Sequence, residues 1–229
     1  MPSTKKILHY ISSALVTAIS VGVMGYSMSL DWAKSSMECT RAGSDFDNGT
    51  AEITLELFTG TLIRNFCPSF GGTENFQVIP TLTKTGVTPV ALHGLVLCLL
   101  AVCLLFSACS ILVSLYNSVS NPYETYMGPI GIYTCSSLSA CLSVVVLIIF
   151  AVNVTVTDMA EGLVKRFAET ADLRNKTSEM LLGYYLIIPY TVLCLLAIGL
   201  IYMYDHAAYT QRREQQRPTE DAPKEIMMY

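Results

Sequence analysis

Four stretches of this chain carry no Asp, Glu, Lys or Arg: Ile7 to Leu30, Val87 to Tyr116, Ile130 to Val152 and Leu181 to Tyr204. Each reaches the ~20 residues that an apolar helix needs to cross the hydrocarbon core of a bilayer. In lipid, backbone N–H and C=O groups must be satisfied within the segment, and a helix does this for an isolated run. The pattern therefore predicts a helical membrane protein, a bundle of four transmembrane helices with the rest of the topology set by alternation. Composition agrees. Only 14% of residues are charged, against about 25% in ordinary soluble domains. The net charge of −4 gives no polybasic character, so the lipid bilayer is the expected partner and nucleic acid is not.

The alternation divides the chain into a cytosolic start (1–6), helix 7–30, outer loop 31–86, helix 87–116, inner turn 117–129, helix 130–152, outer loop 153–180, helix 181–204 and cytosolic tail 205–229. Lys5 and Lys6 precede the first run, as lysines also precede a signal peptide. The run exceeds the ~7–15-residue apolar core of such a peptide and ends without a small-x-small cleavage site. We read it as an uncleaved helix. Ala18 and Gly22, and Gly25 and Ser29, lie one turn apart on it, a spacing that lets another helix approach closely.

The first outer loop begins at Trp32, placed where an indole favours the membrane edge. Ile53, Leu55 and Leu57 alternate with Thr54, Glu56 and Phe58, the period of a half-buried strand. A small β-sheet from this loop is expected. Cys39 and Cys67 are the loop's only cysteines. A bridge between them would staple it; two free thiols are the alternative, disfavoured in an oxidising compartment. The other six cysteines fall in the apolar runs, where thiols act as small hydrophobes. In the second run His93 sits near the outer end, within reach of interfacial water. The third run opens with Ser136, Ser137, Ser139, Ala140 and Ser143, candidates for a packed face.

In the second outer loop Met159, Leu163 and Phe167 recur every four residues, with Ala160, Val164, Ala168 and Ala171 beside them. Charged residues take the other positions. This amphipathic pattern predicts that the third helix continues past the bilayer and packs its stripe on the sheet. Pro189 predicts a kink in the fourth helix. The polar tail after Tyr204 is expected to be mobile.

Glycan acceptor motifs begin at Asn48, Asn153 and Asn175, all in the two loops on one side, with the Cys39 and Cys67 pair. Such motifs matter only outside the cytosol, so both termini are read as cytosolic. Asn48 is the best acceptor, Asn175 the next, and Asn153 the weakest because it lies beside the membrane.

Three histidines stand in three separate regions, and no zinc-protease pair, phosphate loop or nucleophile elbow appears. No catalytic residue, metal ligand, cofactor or small-molecule substrate is expected. The runs lack the ionisable groups that ion pathways and proton relays use, which argues against a pump.

Trp32, Cys39, Leu57-Phe58 and Cys67 resemble the pattern of the claudin and peripheral-myelin-protein superfamily, with Glu56 where glycine is usual and Phe58 where tryptophan is common. Between the second and third runs lies YNSVSNPYETYMGPIGIY. Its Asn121, Pro122, Tyr123, Glu124, Gly128, Pro129 and Gly131 resemble the corresponding turn of the clarins. The start MPSTKKIL and the tail RREQQRPTEDAP are similar to the third paralogue of that family. The resemblance implies a claudin-like fold and a four-pass plasma-membrane glycoprotein without enzymatic activity. It further implies an association with sensory cells, synaptic organisation and the actin-rich cortex.

Three functions compete on these readings. The first is a non-catalytic organiser or adaptor of membrane and scaffold proteins. The second is an auxiliary subunit of a channel or receptor, and the third a membrane enzyme or transporter. The end Ile226-Met227-Met228-Tyr229 adds a PDZ-ligand reading. There Met227 and Tyr229 would occupy pockets while the carboxylate extends a sheet edge; an ordinary tail end is the alternative.

Overall fold

The computed structural model describes residues 4–41, 49–66, 71–120, 128–157, 159–167 and 171–216. In chain order these form α1 (Thr4–Met28), β1 (Ala33–Arg41), β2 (Gly49–Leu55), β3 (Thr59–Asn65), β4 (Gly72–Gln77), α2 (Val78–Leu82) and α3 (Val87–Val119). They continue as α4 (Pro129–Thr155), α5 (Met159–Phe167), β5 (Ala171–Met180), α6 (Leu182–Tyr185) and α7 (Ile187–Gln216).

Among the described residues four helices are long and apolar enough to cross a membrane, and they form the bundle. α1 and α4 each pack against α3 and α7, which gives an up-and-down ring. The helices outlast the apolar runs. α3 has 33 residues, about 50 Å at 1.5 Å per residue against a core of about 30 Å. The tail also begins as helix, because α7 continues to Gln216.

Each bundle helix buries a seam in which spacings of three and four alternate. On α3 the seam is His93, Val96, Leu100, Cys103, Ser107, Ser110, Ser114 and Asn117. On α4 it is Ile132, Ser136, Ser139, Ser143, Val146, Phe150 and Asn153. α1 repeats the rule from Lys6 and Tyr10 to Met24 and Ser27, and α7 from Ile187 to Ile201. A seven-residue repeat keeps a seam facing its partners at the shallow crossing angle of left-handed bundles. Leu15, Leu105, Leu112, Ile148 and Val192 point outward.

The seams change character along the bundle. Toward the sheet they hold Met24, Leu100, Val146 and Phe150; toward the tail they hold many hydroxyls, with Tyr10, Ile132 and Ile201 clustered near the end. Ser110 and Ser136 share a hydrogen bond at 3.0 Å, and Ser139 Oγ donates to the Cys103 carbonyl at 3.2 Å. Ser107 and Tyr190 meet at 2.8 Å, Ser143 and Thr191 at 2.7 Å. At the tail end Lys6 Nζ donates to the Ser120 carbonyl at 2.9 Å, where the α3 dipole presents its negative end.

Several expectations shift. Ser136, Ser139, Ala140 and Ser143 are buried, but Ser137 faces out. Ala18, Gly22 and Gly25 on α1, and Ser29 just past its end, also face out, with nothing within 4 Å of a Cβ built on Gly22 or Gly25. The fourth helix is interrupted at Leu186, between α6 and α7. Pro189 explains the place, since its ring leaves the carbonyl four residues earlier without a helical donor.

Over one end of the bundle lies an antiparallel sheet of order β4-β3-β2-β1-β5. The first loop supplies four strands; the fifth comes from the second loop and pairs with β1. Ile53, Leu55, Leu62 and Phe76 line the inner face and pack on Val78 and Leu82 of α2 and on Met159, Leu163 and Val164 of α5. The amphipathic stripe thus packs on the sheet as read. α5 is a separate helix rather than a continuation of α4, and Ala171 opens β5 instead of extending the stripe.

Candidate functional site

Trp32 is the joint between sheet and bundle. α1 ends at Met28, and two residues beyond a short turn the Trp32 amide donates to the Leu55 carbonyl at 2.8 Å, starting the sheet. The Trp32 carbonyl accepts from the Leu181 amide at 2.9 Å, and the Asp31 carbonyl from the Gly183 amide at 2.9 Å. Its indole Nε1 donates to the Ser27 carbonyl at 2.8 Å, while Ser27 Oγ donates to the Gly183 carbonyl at 2.6 Å. Three chain segments are thereby tied at Asp31 and Trp32, largely through their backbone groups. The indole is fully buried, edge-on to Phe150 at 5.0 Å and Tyr184 at 6.4 Å. At this junction of sheet and bundle the ring is a packing pivot, and its N–H is satisfied internally rather than by interfacial water.

Gly183 is the member of this joint that sequence reasoning missed. A Cβ there would lie 2.6 Å from the indole Cδ1 and 2.7 Å from the Asp31 carbonyl oxygen. Both neighbours are fixed, so only glycine fits. The sole signal was its place between the aromatic-rich start of the fourth run and the end of the second loop.

A second tie joins α3 to the sheet. Leu57 and Phe58 form the tip of the β2–β3 hairpin, closed by the Glu56 amide donating to the Thr59 carbonyl at 3.0 Å. Leu57 is buried among bundle residues and Phe58 is exposed. His93 Nε2 lies 2.8 Å from the Leu57 carbonyl, and because a carbonyl only accepts, Nε2 carries the proton. His93 is 1% exposed, so it is a buried strut and does not reach interfacial water as expected.

The acceptor motifs separate. Asn175 is exposed at a bulge in β5, where the register with β1 slips between Ser36 and Glu38. Its φ of 51° is left-handed, a conformation asparagine tolerates, and its Nδ2 donates to Glu38 Oε2 at 2.7 Å. Asn153 is fully buried, with Nδ2 donating to the Pro89 carbonyl at 3.2 Å. It ties α4 to α3 in the fold, which corrects its reading as an acceptor. Cys39 is buried and disulfide-bonded, and Cys98, Cys103, Cys109, Cys135, Cys141 and Cys194 are free. Asn48, Cys67, Asn121, Pro122, Tyr123, Glu124, Met227 and Tyr229 lie outside the described residues. Gly128 caps α4, and Pro129 takes its first position, where the missing N–H is harmless.

The sheet presents a polar outer face. Lys34 and Glu52 pair at 2.6 Å across β1 and β2. Ser36 and Thr177 meet at 3.1 Å across β1 and β5, and Thr61 donates to Asn75 at 3.1 Å across β3 and β4. Among the described residues no three His, Cys, Asp or Glu side chains converge to hold a metal. The arrangement is a platform of hydroxyls, amides and mixed charge fixed to the membrane bundle at Trp32 and His93.

A family model described as Clarin-2-like matches residues 5–174. The chain is 31% identical to mouse (Mus musculus) Clarin-3 over 233 residues, covering 100% of each chain, and 28% identical to human (Homo sapiens) Clarin-3 over 231 residues at the same coverage. It is 27% identical to human Clarin-1 over 171 residues, 71% of this chain and 72% of that one.

Proposed function

The chain belongs to the clarin family, and from that premise we propose that it is a non-catalytic organiser of membrane partners, with the outer face of its sheet as the contact surface. The observation that carries this is the rigid union of platform and bundle. Trp32, Gly183 and His93 transmit the position of four helices to a five-stranded sheet built from both loops. A surface so fixed presents a preset geometry to a partner and keeps the ordering entropy of binding low. Proximity labelling and co-purification from native membranes test the reading. Recovery of a shared partner that is lost when Lys34 and Thr61 are both changed to Glu is expected; a monomer with no reproducible partner would sink it.

The same proposal places the sheet outside the plasma membrane and both termini in the cytosol. Asn175 stands exposed on the sheet, Asn48 belongs to the same loop system, and Cys39 is oxidised. With six cysteines free, Cys67 is the partner we assign to Cys39. Loss of a glycosidase-sensitive shift in Asn48→Gln and Asn175→Gln variants is expected. Labelling of both termini from outside intact cells would reverse the orientation. For the tail, a peptide ending in Met227-Met228-Tyr229 should capture a PDZ domain and lose it when Tyr229 is removed.

A second reading is an auxiliary subunit of a channel or receptor, favoured by the outward small face of α1 at Gly22 and Gly25. A neighbouring helix could approach closely there. Altered currents on co-expression, reversed by Gly22→Leu, separate it from the first.

A further inference from the structure

The hydrogen bond from His93 Nε2 to the Leu57 carbonyl, at 2.8 Å, fixes the depth of the β2–β3 hairpin tip relative to the bundle. Two measures place that depth. The apolar run of α3, Val87 to Tyr116, is about 45 Å long at 1.5 Å per residue, the thickness of a bilayer with its headgroups. The hydrocarbon core then takes the middle ~20 residues, from about Leu92 to about Ile111, and His93 lies just inside it. On α4 the apolar run ends at Val152, and Asn153, the next residue, donates to the Pro89 carbonyl. That bond sets the end of the run level with Pro89, about 6 Å above His93 along α3.

The tip therefore reaches the upper edge of the acyl chains, and the protein leaves apolar side chains uncovered there. Leu57 turns into the bundle, but Phe58 is 52% exposed. The Phe58 carbonyl accepts from the Val78 amide at 2.9 Å, which brings the start of α2 to the same height, and Ile79 beside it is 40% exposed. On α3 the adjoining surface faces lipid, with Leu95, two residues beyond His93, 44% exposed. Glu56 bounds the depth from the other direction. Its carboxylate accepts from Thr59 Oγ1 at 2.5 Å, and a carboxylate stays among the headgroups rather than entering hydrocarbon.

We propose that the hairpin tip and the start of α2 form a foot by which the sheet rests in the leaflet on its own side, with Phe58 and Ile79 among the upper acyl chains. At that height the medium around the bundle is lipid, so the foot continues the lipid-facing flank of α3 and its occupant is the bilayer itself. The platform thereby gains a support besides Trp32 and His93, one that follows the packing of the leaflet. This holds whichever side of the membrane the sheet faces, and independently of any protein partner.

Trp32 is the only tryptophan of the chain and is fully buried, so the unaltered protein gives the background against which a new indole is read. The full chain is placed in phosphatidylcholine nanodiscs as Phe58→Trp and as Ile79→Trp. Emission is quenched in turn by lipid spin-labelled high on the acyl chain, by lipid labelled near the chain end, and by iodide in the water. Both variants should lose most emission to the high label, less to the deep label and least to iodide. Thr61→Trp, on the outer face of the sheet, should respond to iodide alone, and Leu105→Trp chiefly to the deep label. The two foot positions are read separately, and the proposal requires lipid quenching at both. Iodide quenching of either to the extent seen for Thr61→Trp, without lipid quenching, overturns it. Emission that no quencher reaches overturns it too, because the tip would then be covered by protein.

Discussion

Beneath the sheet the buried side chains include Ile53, Leu55, Leu62 and Leu163, whereas in the tail half of the bundle Ser13, Thr17, Ser107, Ser110 and Ser136 are buried alongside a small cluster of Tyr10, Ile132 and Ile201. One region hides its leucines and shows its hydroxyls; the other does the reverse, with Leu105 and Leu112 outermost. The surroundings explain the inversion. Facing water, burying a leucine side chain contributes about 1.5–3 kcal/mol. In lipid a leucine gains little by leaving the acyl chains, so small groups that allow close approach and bond across helices take the interior. The two regions meet at Trp32, whose apolar ring and single donor serve both.

The largest effect should come from removing that meeting point. Trp32→Ala is expected to lower stability by about 4 kcal/mol, in the range for large core truncations. Thermal unfolding of the detergent-solubilised chain, read together with limited trypsin digestion, should show sheet and helices loosening together. Loosening of one alone would break the claim that the joint couples them. Next is Leu163→Ala, expected to cost about 3 kcal/mol as a buried leucine truncation. Here proteolysis of the sheet region should accelerate while the helices stay protected. Ser110→Ala removes one interhelical hydrogen bond and is expected to lower stability by only about 0.6 kcal/mol, the average for such bonds in membranes. Leu105→Ala, 65% exposed on the lipid side, should fall within about 0.5 kcal/mol of no change. If Ser110→Ala proved as severe as Leu163→Ala, the contrast between the two interiors would fail.

The same contrast decides what could be read from residues alone. The four apolar runs were legible because a lipid-facing surface must be continuous. The alternation of Ile53, Leu55 and Leu57 and the four-residue recurrence of Met159, Leu163 and Phe167 were legible because those elements have one dry face. The seams were not: Ser107, Ser110, Ser114 and Asn117 keep heptad spacing, but a search for apolar periodicity passes over serine. The Ala18–Gly22 and Gly25–Ser29 spacing did not reveal which way that face points, for the related reason that small residues suit either face of a membrane helix. β5 was missed because Leu173-Arg-Asn-Lys-Thr-Ser-Glu179 has no apolar alternation. It is held largely by ladder bonds to β1 and by the Ser35–Ser178 contact at 2.8 Å. For the candidate site, Trp32, Leu57 and His93 could be singled out in the sequence, but not that they join, since Gly183 and Phe150 come to Trp32, and His93 to Leu57, from distant segments.

The pairing of β1 with β5 also sets an order of events during synthesis. β1 finds β2 within its own loop, but Ser35 and its partner Ser178 are 143 residues apart. At about 5–20 residues per second, some 7–30 s of translation separate them. Throughout that interval α3 and α4 must be threaded across the bilayer while one edge of β1 stays open. An open strand edge is adhesive, so the nascent first loop offers a handle to chaperones on its own side of the membrane until the second loop arrives. Closure of the sheet then acts as a checkpoint: it completes only when both middle helices have crossed in the right sense and delivered β5 to the same side as β1.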